Sequence, residues 1–134
     1  MASPRQDLKA RIDAIEESYE FFLAYAAQGL SGDQASKSGG QLRVFLESMA
    51  GGLDGLTGAF EGVVGAEGLE PAGAWSELVE VLSRDAAASL AAVRLVAGQP
   101  SISSQLVDNL NANIHLRALL TDIFLLDEAL PRPS

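Results

Sequence analysis

The sequence predicts an all-α, single-domain, up-down-up-down four-helix bundle. Three observations carry that expectation. Apolar residues recur at alternating spacings of three and four through four segments, clusters of Gly, Pro and Ser punctuate them, and no stretch sustains the period-two alternation of a half-buried strand. At 134 residues, the span 1–134 suffices for one domain with its own apolar core, and it shows no internal repeat.

The first helix is expected over residues 4–29. Leu8, Ile12, Ile15, Tyr19, Phe22, Ala26 and Leu30 share one face, with Ser3 as N-cap, Pro4 in the first turn, and Gly29 and "SGDQASKSGG" as the stop. The second is expected over 40–65, with Leu42, Phe45, Met49, Leu53, Leu56, Phe60 and Val63 on its apolar face. The third, over 73–97, carries Trp75, Leu78, Leu82, Ala86, Ser89, Val93 and Val96 and closes at Gly98 and Pro100. The fourth runs over 102–130. The composition of "SGDQASKSGG" reads as a flexible connector or a segment ordered by a partner.

Composition excludes several classes of function. Without cysteine there is no disulfide, thiol chemistry or Cys-ligated metal centre. A net charge of -9, from 18 acids against 9 dispersed bases, opposes nucleic acid and anionic membrane surfaces as partners. The charges scattered through "MASPRQDLKARIDAIEE" are unlike a signal peptide, so a cytoplasmic protein is expected. The longest apolar run, "LRALLTDIFLLDEAL", is interrupted by Asp122 and Asp127 and falls short of a membrane span.

The stretch "GGLDGLTGAFEGVVG" carries the strongest expectation about partners. If the second helix is continuous, Gly51, Gly55, Gly58 and Gly62 line its back, about 180° from the apolar face, at a combined cost of roughly 3 to 4 kcal/mol relative to alanine. Glycine permits close approach of another backbone. One reading packs the stripe within the chain against "DAAASLAAVRLVAG" of the third helix; another makes it an interface with a second copy or a different protein; a third breaks the helix or seats a flat ligand. Phe21 and Tyr25, off the main face of the first helix, add a second apolar surface and favour the interface, with a homodimer expected.

The fourth helix is apolar over most of its circumference, which again favours association. Asn113 and Arg117 interrupt its stripe of Leu106, Leu110, Leu120 and Phe124. They are expected to form a polar layer with Glu16 or Glu20 of the first helix, the alternative being an Arg117 that reaches water along the bundle edge. The aromatics Phe22, Phe45, Phe60, Trp75 and Phe124 offer an apolar ligand pocket as the alternative function.

No catalytic or cofactor constellation emerges. The single histidine, His115, has Ala112 three residues before it, which removes a paired Glu-x-x-His metal site, and one histidine cannot supply two axial haem ligands. Its apolar neighbours "LRALL" disfavour phosphotransfer. Asp108, Asn111, His115 and Asp122 fall on one face, read as the solvated side of the fourth helix rather than a metal site. The expectation is therefore a non-enzymatic accessory or adaptor protein, without cofactor or metal, that acts through protein contacts.

Overall fold

Ser3 sets where the first helix begins. Its hydroxyl accepts from the Gln6 amide while the Gln6 side chain accepts from the Ser3 amide, a reciprocal capping box followed by Pro4 in the first turn. In the computed structural model, which describes residues 3–132, α1 spans Pro4–Ala26 and buries Leu8, Ile12, Ile15 and Phe22 as its spacing requires. The ends of the expected 1–134 domain, residues 1–2 and 133–134, lie outside the described residues. A single 3-10 turn, Asp33–Ala35, follows, and the remaining helices are α2 (Ser38–Leu53), α3 (Leu56–Glu67), α4 (Ala72–Ala97), α5 (Ser104–Ala112) and α6 (Ile114–Ala129). The described residues are all-helical and contain no strand.

Two of the four expected helices are broken, and each break has a local cause. The expected helix over 40–65 ends at Leu53 because Asp54 is extended and Gly55 takes φ +96°, a left-handed conformation that glycine adopts without a Cβ penalty. The carbonyls left free there are claimed from α1: the Arg11 guanidinium donates to Gly51 O at 3.0 Å and to Asp54 O at 2.7 Å. A cation at a helix C-terminus also meets the negative end of the helix dipole. The expected helix over 102–130 is broken at Asn113, whose backbone turns extended. Its side chain accepts from the His115 and Leu116 amides and so caps α6.

α1 packs against α2, α3 and α5, and α4 packs against α2, α3 and α6. The core between them is formed by fully buried Phe22, Leu42, Met49, Phe60, Leu82 and Leu116, among others, in one cluster. Arg5 closes one end of this assembly, pairing with Glu67 of α3 and donating to Pro131 O beyond α6.

The glycine expectation needs correction. Gly51 belongs to α2, Gly58 and Gly62 to α3, and Gly55 to the bend between them, so no continuous stripe exists. Nothing lies within 4 Å of where a Cβ would stand at Gly51, Gly58 or Gly62, which overturns packing against α4 within the chain. Within this stretch close approach falls to Gly52, buried against α1, where a Cβ would stand 2.9 Å from Ile15 and 3.2 Å from Arg11 O.

These placements predict opposite outcomes for neighbouring glycines. Gly52→Leu is expected to destabilise by about 2 kcal/mol or more through overpacking. Gly62→Ala is expected to stabilise by about 0.8 to 1 kcal/mol through helix propensity alone. Urea unfolding of the two variants measures both.

Candidate functional site: a polar joint and an uncovered helix face

A buried carboxylate bonded to two distant parts of the chain lies in the segment expected to be flexible. Asp33, only 8% exposed, accepts from Arg43 Nε at 2.8 Å and from the Ile102 amide at 2.7 Å. Arg43 donates onward to Ala97 O at 3.1 Å and Gln99 O at 2.9 Å, capping the last turn of α4. The connector after α1 and the connector after α4 are thereby joined through one buried carboxylate. Around it the Tyr25 hydroxyl donates to Ile102 O, the Ser104 hydroxyl donates to Tyr25 O, and the Leu30 amide donates to Ser104 Oγ. Gly39 is required beneath the joint, since a Cβ there would collide with the Asp33 backbone.

This joint corrects three expectations. The segment "SGDQASKSGG" is held by the Asp33 and Arg43 hydrogen bonds rather than being a free connector. Tyr25 is completely buried, with its hydroxyl satisfied. Phe21 is half-buried and stacks on Phe45 of α2 at 4.5 Å between ring centroids, so the pair packs inside the chain and does not form a second outer surface. The sequence signal for the joint is weak: one acid and one arginine ten residues apart, whose partners are backbone carbonyls with no side-chain signature.

The expected polar layer is also not assembled. Asn113 spends its side chain capping α6, and Arg117 is exposed. Among the described residues neither Glu16 nor exposed Glu20 bonds to Arg117. Glu16 is instead shifted upward, first by partial burial and then by the negative charges of Asp13, Asp127 and Glu20.

Nor do the five aromatics gather around one pocket. Phe22 and Phe60 fill the core, Phe45 stacks on Phe21, Trp75 lines a shallow groove of about 540 Å³ between α3 and α4, and Phe124 is 54% exposed. A larger groove of about 770 Å³ runs between α1 and the end of α6 over Leu8, Ile12 and Leu130, with Arg5, Lys9 and Asp127 at its rim; none of the five aromatics lines it.

The expected solvated face of Asp108, Asn111, His115 and Asp122 is divided by the bend at Asn113. Asn111 is buried and donates to Phe22 O at 3.2 Å, while Asp122 is turned toward Asp85 of α4. Asp122 is pushed up to about 7, first by burial, then by a hydrogen bond shared with the Asp85 carboxyl and by that group's charge. Its Oδ2 is buried without a partner, as is the Ser89 hydroxyl on α4. No group of three or more His, Asp or Glu among the described residues is placed to hold a metal ion.

Among the described residues half of the exposed large apolar side chains stand on the outer side of α6, while Leu23, Val44 and Leu95 are exposed singly on α1, α2 and α4. Ile114 is 74% exposed and Leu125 58% exposed, with Phe124 beside them, Thr121 exposed and Ala118 half-buried. Large apolar side chains concentrated on one side of one helix mark a contact surface more strongly than scattered ones. Comparison with protein-family models, with curated proteins and with solved structures finds no match to this chain.

The two carboxylates predict opposite pH responses. Asp33 is held below the ordinary carboxylate range, chiefly by Arg43, so the joint contributes fully above about pH 4 and is lost as pH falls through the depressed folded value. Asp33→Asn is expected to cost about 1 to 3 kcal/mol at pH 7, with the difference from the parent protein shrinking in acid, as read by urea unfolding at several pH values. Asp122 is raised, so its burial favours folding below about pH 4 and that contribution is lost as pH rises toward 7. Asp122→Asn is accordingly expected to raise the melting temperature at pH 8 and to leave it nearly unchanged at pH 4.

Proposed function

We propose that the chain is a non-catalytic accessory protein that acts through protein contacts, using the outer face of α6 as its contact surface. Its scaffold is read as an up-down-up-down four-helix bundle in which the second rod is α2 with α3 and the fourth is α5 with α6. In support of that arrangement, α1 and α4 each pack against the second rod and the fourth, and the start of α1 lies beside the end of α6.

One observation carries the functional reading. Ile114, Phe124 and Leu125 are more than half exposed on a helix whose opposite side is packed against α4. The polar groups, by contrast, serve the fold: Arg11, Arg43 and Asn113 cap helix ends, and Asp33 joins two connectors. A pocket-based function has less support, because the aromatics expected to line it are dispersed among the core, α1–α2 stacking, a shallow groove and the surface.

The reading is tested with a tagged chain cross-linked in its native cell. Phe124→Ser combined with Leu125→Glu is expected to leave the helical circular dichroism unchanged and stability within about 0.5 kcal/mol, since both positions face outward. The same variant is expected to abolish the specific cross-linked species that the parent protein and a Gly62→Ala control both give. An identical cross-linking pattern in all three would overturn the assignment of the contact surface.

A further inference from the structure

α6 rests chiefly on one neighbour, α4, and meets α5, whereas α1 packs against α2, α3 and α5. Its near end is a single extended residue, Asn113, at φ -59° and ψ 127°, so α6 joins α5 through a bend and not through continuous helix. α5 itself is anchored, because the Ser104 hydroxyl donates to Tyr25 O and the Asn111 side chain donates to Phe22 O. Beyond the far end of α6 the chain is held by buried Leu130 and by an exposed hydrogen bond from Arg5 to Pro131 O.

The interface that holds α6 contains two like groups. Asp85 of α4 and Asp122 of α6, both half-buried, face each other, and Oδ2 of Asp122 is buried with no partner. Among the described residues no base forms an ion pair with either carboxylate. Arg84, beside Asp85, is exposed and turned to Glu80 at 3.2 Å, and Arg117 of α6 and Asp108 of α5 are exposed as well. The buried Ser89 hydroxyl, one turn along α4 from Asp85, bonds to neither acid.

Two carboxylates so placed are compatible as an acid and its conjugate base, sharing one proton in a charge-assisted hydrogen bond. As two anions they repel in a partly dry interface. With α6 in place Asp122 is raised to about 7, first by burial and then by Asp85. Once α6 leaves α4, Asp122 enters water and returns to the ordinary value of about 4.

We propose that α6 is a proton-latched helix: while Asp85 and Asp122 share a proton it lies on α4, and when that proton is lost it lifts from α4 about the bend at Asn113, the rest of the chain staying folded. Leu116, Leu119, Ile123 and Leu126, buried in the latched state, are uncovered by the movement. The latch acts on the inner side of α6 and does not depend on what its outer face meets.

The direction of the response follows from the proton count. Opening releases a proton where the pH lies between about 4 and about 7, so the open fraction rises with pH across that range, by at most about tenfold per pH unit, and levels off above it. Water at the part-exposed pair screens the repulsion and reduces the total rise to about tenfold or more between pH 5 and pH 8.

Native-state hydrogen exchange of the whole chain in low urea, corrected for the chemical exchange rate at each pH, separates local opening from global unfolding. Amides of residues 116–129 are expected to be less protected than those of α2 and to open with a smaller urea dependence. Their opening constant is expected to rise about tenfold or more from pH 5 to pH 8. Asp122→Asn, whose side-chain amide donates to Asp85 at either pH, is expected to abolish that rise, and Asp85→Asn tests the same proton from the other helix. Protection of α6 equal to that of α2 at both pH values would overturn the latch, because α6 would then leave α4 only when the whole domain unfolds. A rise of the parent's size in both variants would also overturn it, by placing the titrating group elsewhere.

Discussion

A single buried carboxylate stands at the centre of the hydrogen bonds that hold the connector after α1 against the connector after α4. Asp33 accepts from the Ile102 amide and the Arg43 guanidinium, and Arg43 in turn donates to Ala97 O and Gln99 O at the end of α4. Half of this network is exposed enough for water to screen its Coulomb energy, so its strength lies in directed hydrogen bonds to groups that would otherwise be unsatisfied. Tyr25 and Ser104 extend the same network into the core, which places the start of α5 against the end of α1. The direction in which α5 and α6 leave that end follows from it.

The two bends share a logic. A helix interrupted in a packed domain exposes amides and carbonyls, and each interruption here is matched by a side chain that accepts or donates to them. At the Gly55 bend the partner is Arg11, 40 and 43 residues before the two carbonyls it meets, reaching across from α1. At Asn113 the residue at the bend supplies its own cap. Just before the first bend, Gly52 lets α2 approach α1 where the Arg11 contact requires the two helices to be close. Glycines that weaken a helix therefore do two different jobs within five residues, one turning the chain and the other admitting a neighbour.

On α6 the inward side is satisfied and the outward side is not. Leu116, Leu119, Ile123 and Leu126 are buried, and Asp122 is drawn toward Asp85 at a cost in charge solvation. Ile114, Phe124 and Leu125 remain in water.

The sequence by itself determined the helical class, the start of α1 at Ser3 and Pro4, and most of the core. Leu8, Ile12, Phe22, Leu42, Met49, Phe60, Leu82 and Val93 follow from periodicity and composition, because burial of one helix face is a local pattern, whereas on the fourth helix the expected stripe included Phe124, which is exposed, and left out Leu116, which is buried. Four apolar segments were legible for the same reason. A break in the second helix was one of three readings of its glycines, but neither its place at Gly55 nor the bend at Asn113 was legible, since a period of three and four continues through both and only a long-range cap, or an extended backbone, reveals the turn. The burial of Tyr25, the Asp33 joint and the uncovered side of α6 were decided by tertiary structure alone. Each depends on which distant backbone group arrives beside a side chain, and spacing along one helix carries no information about that.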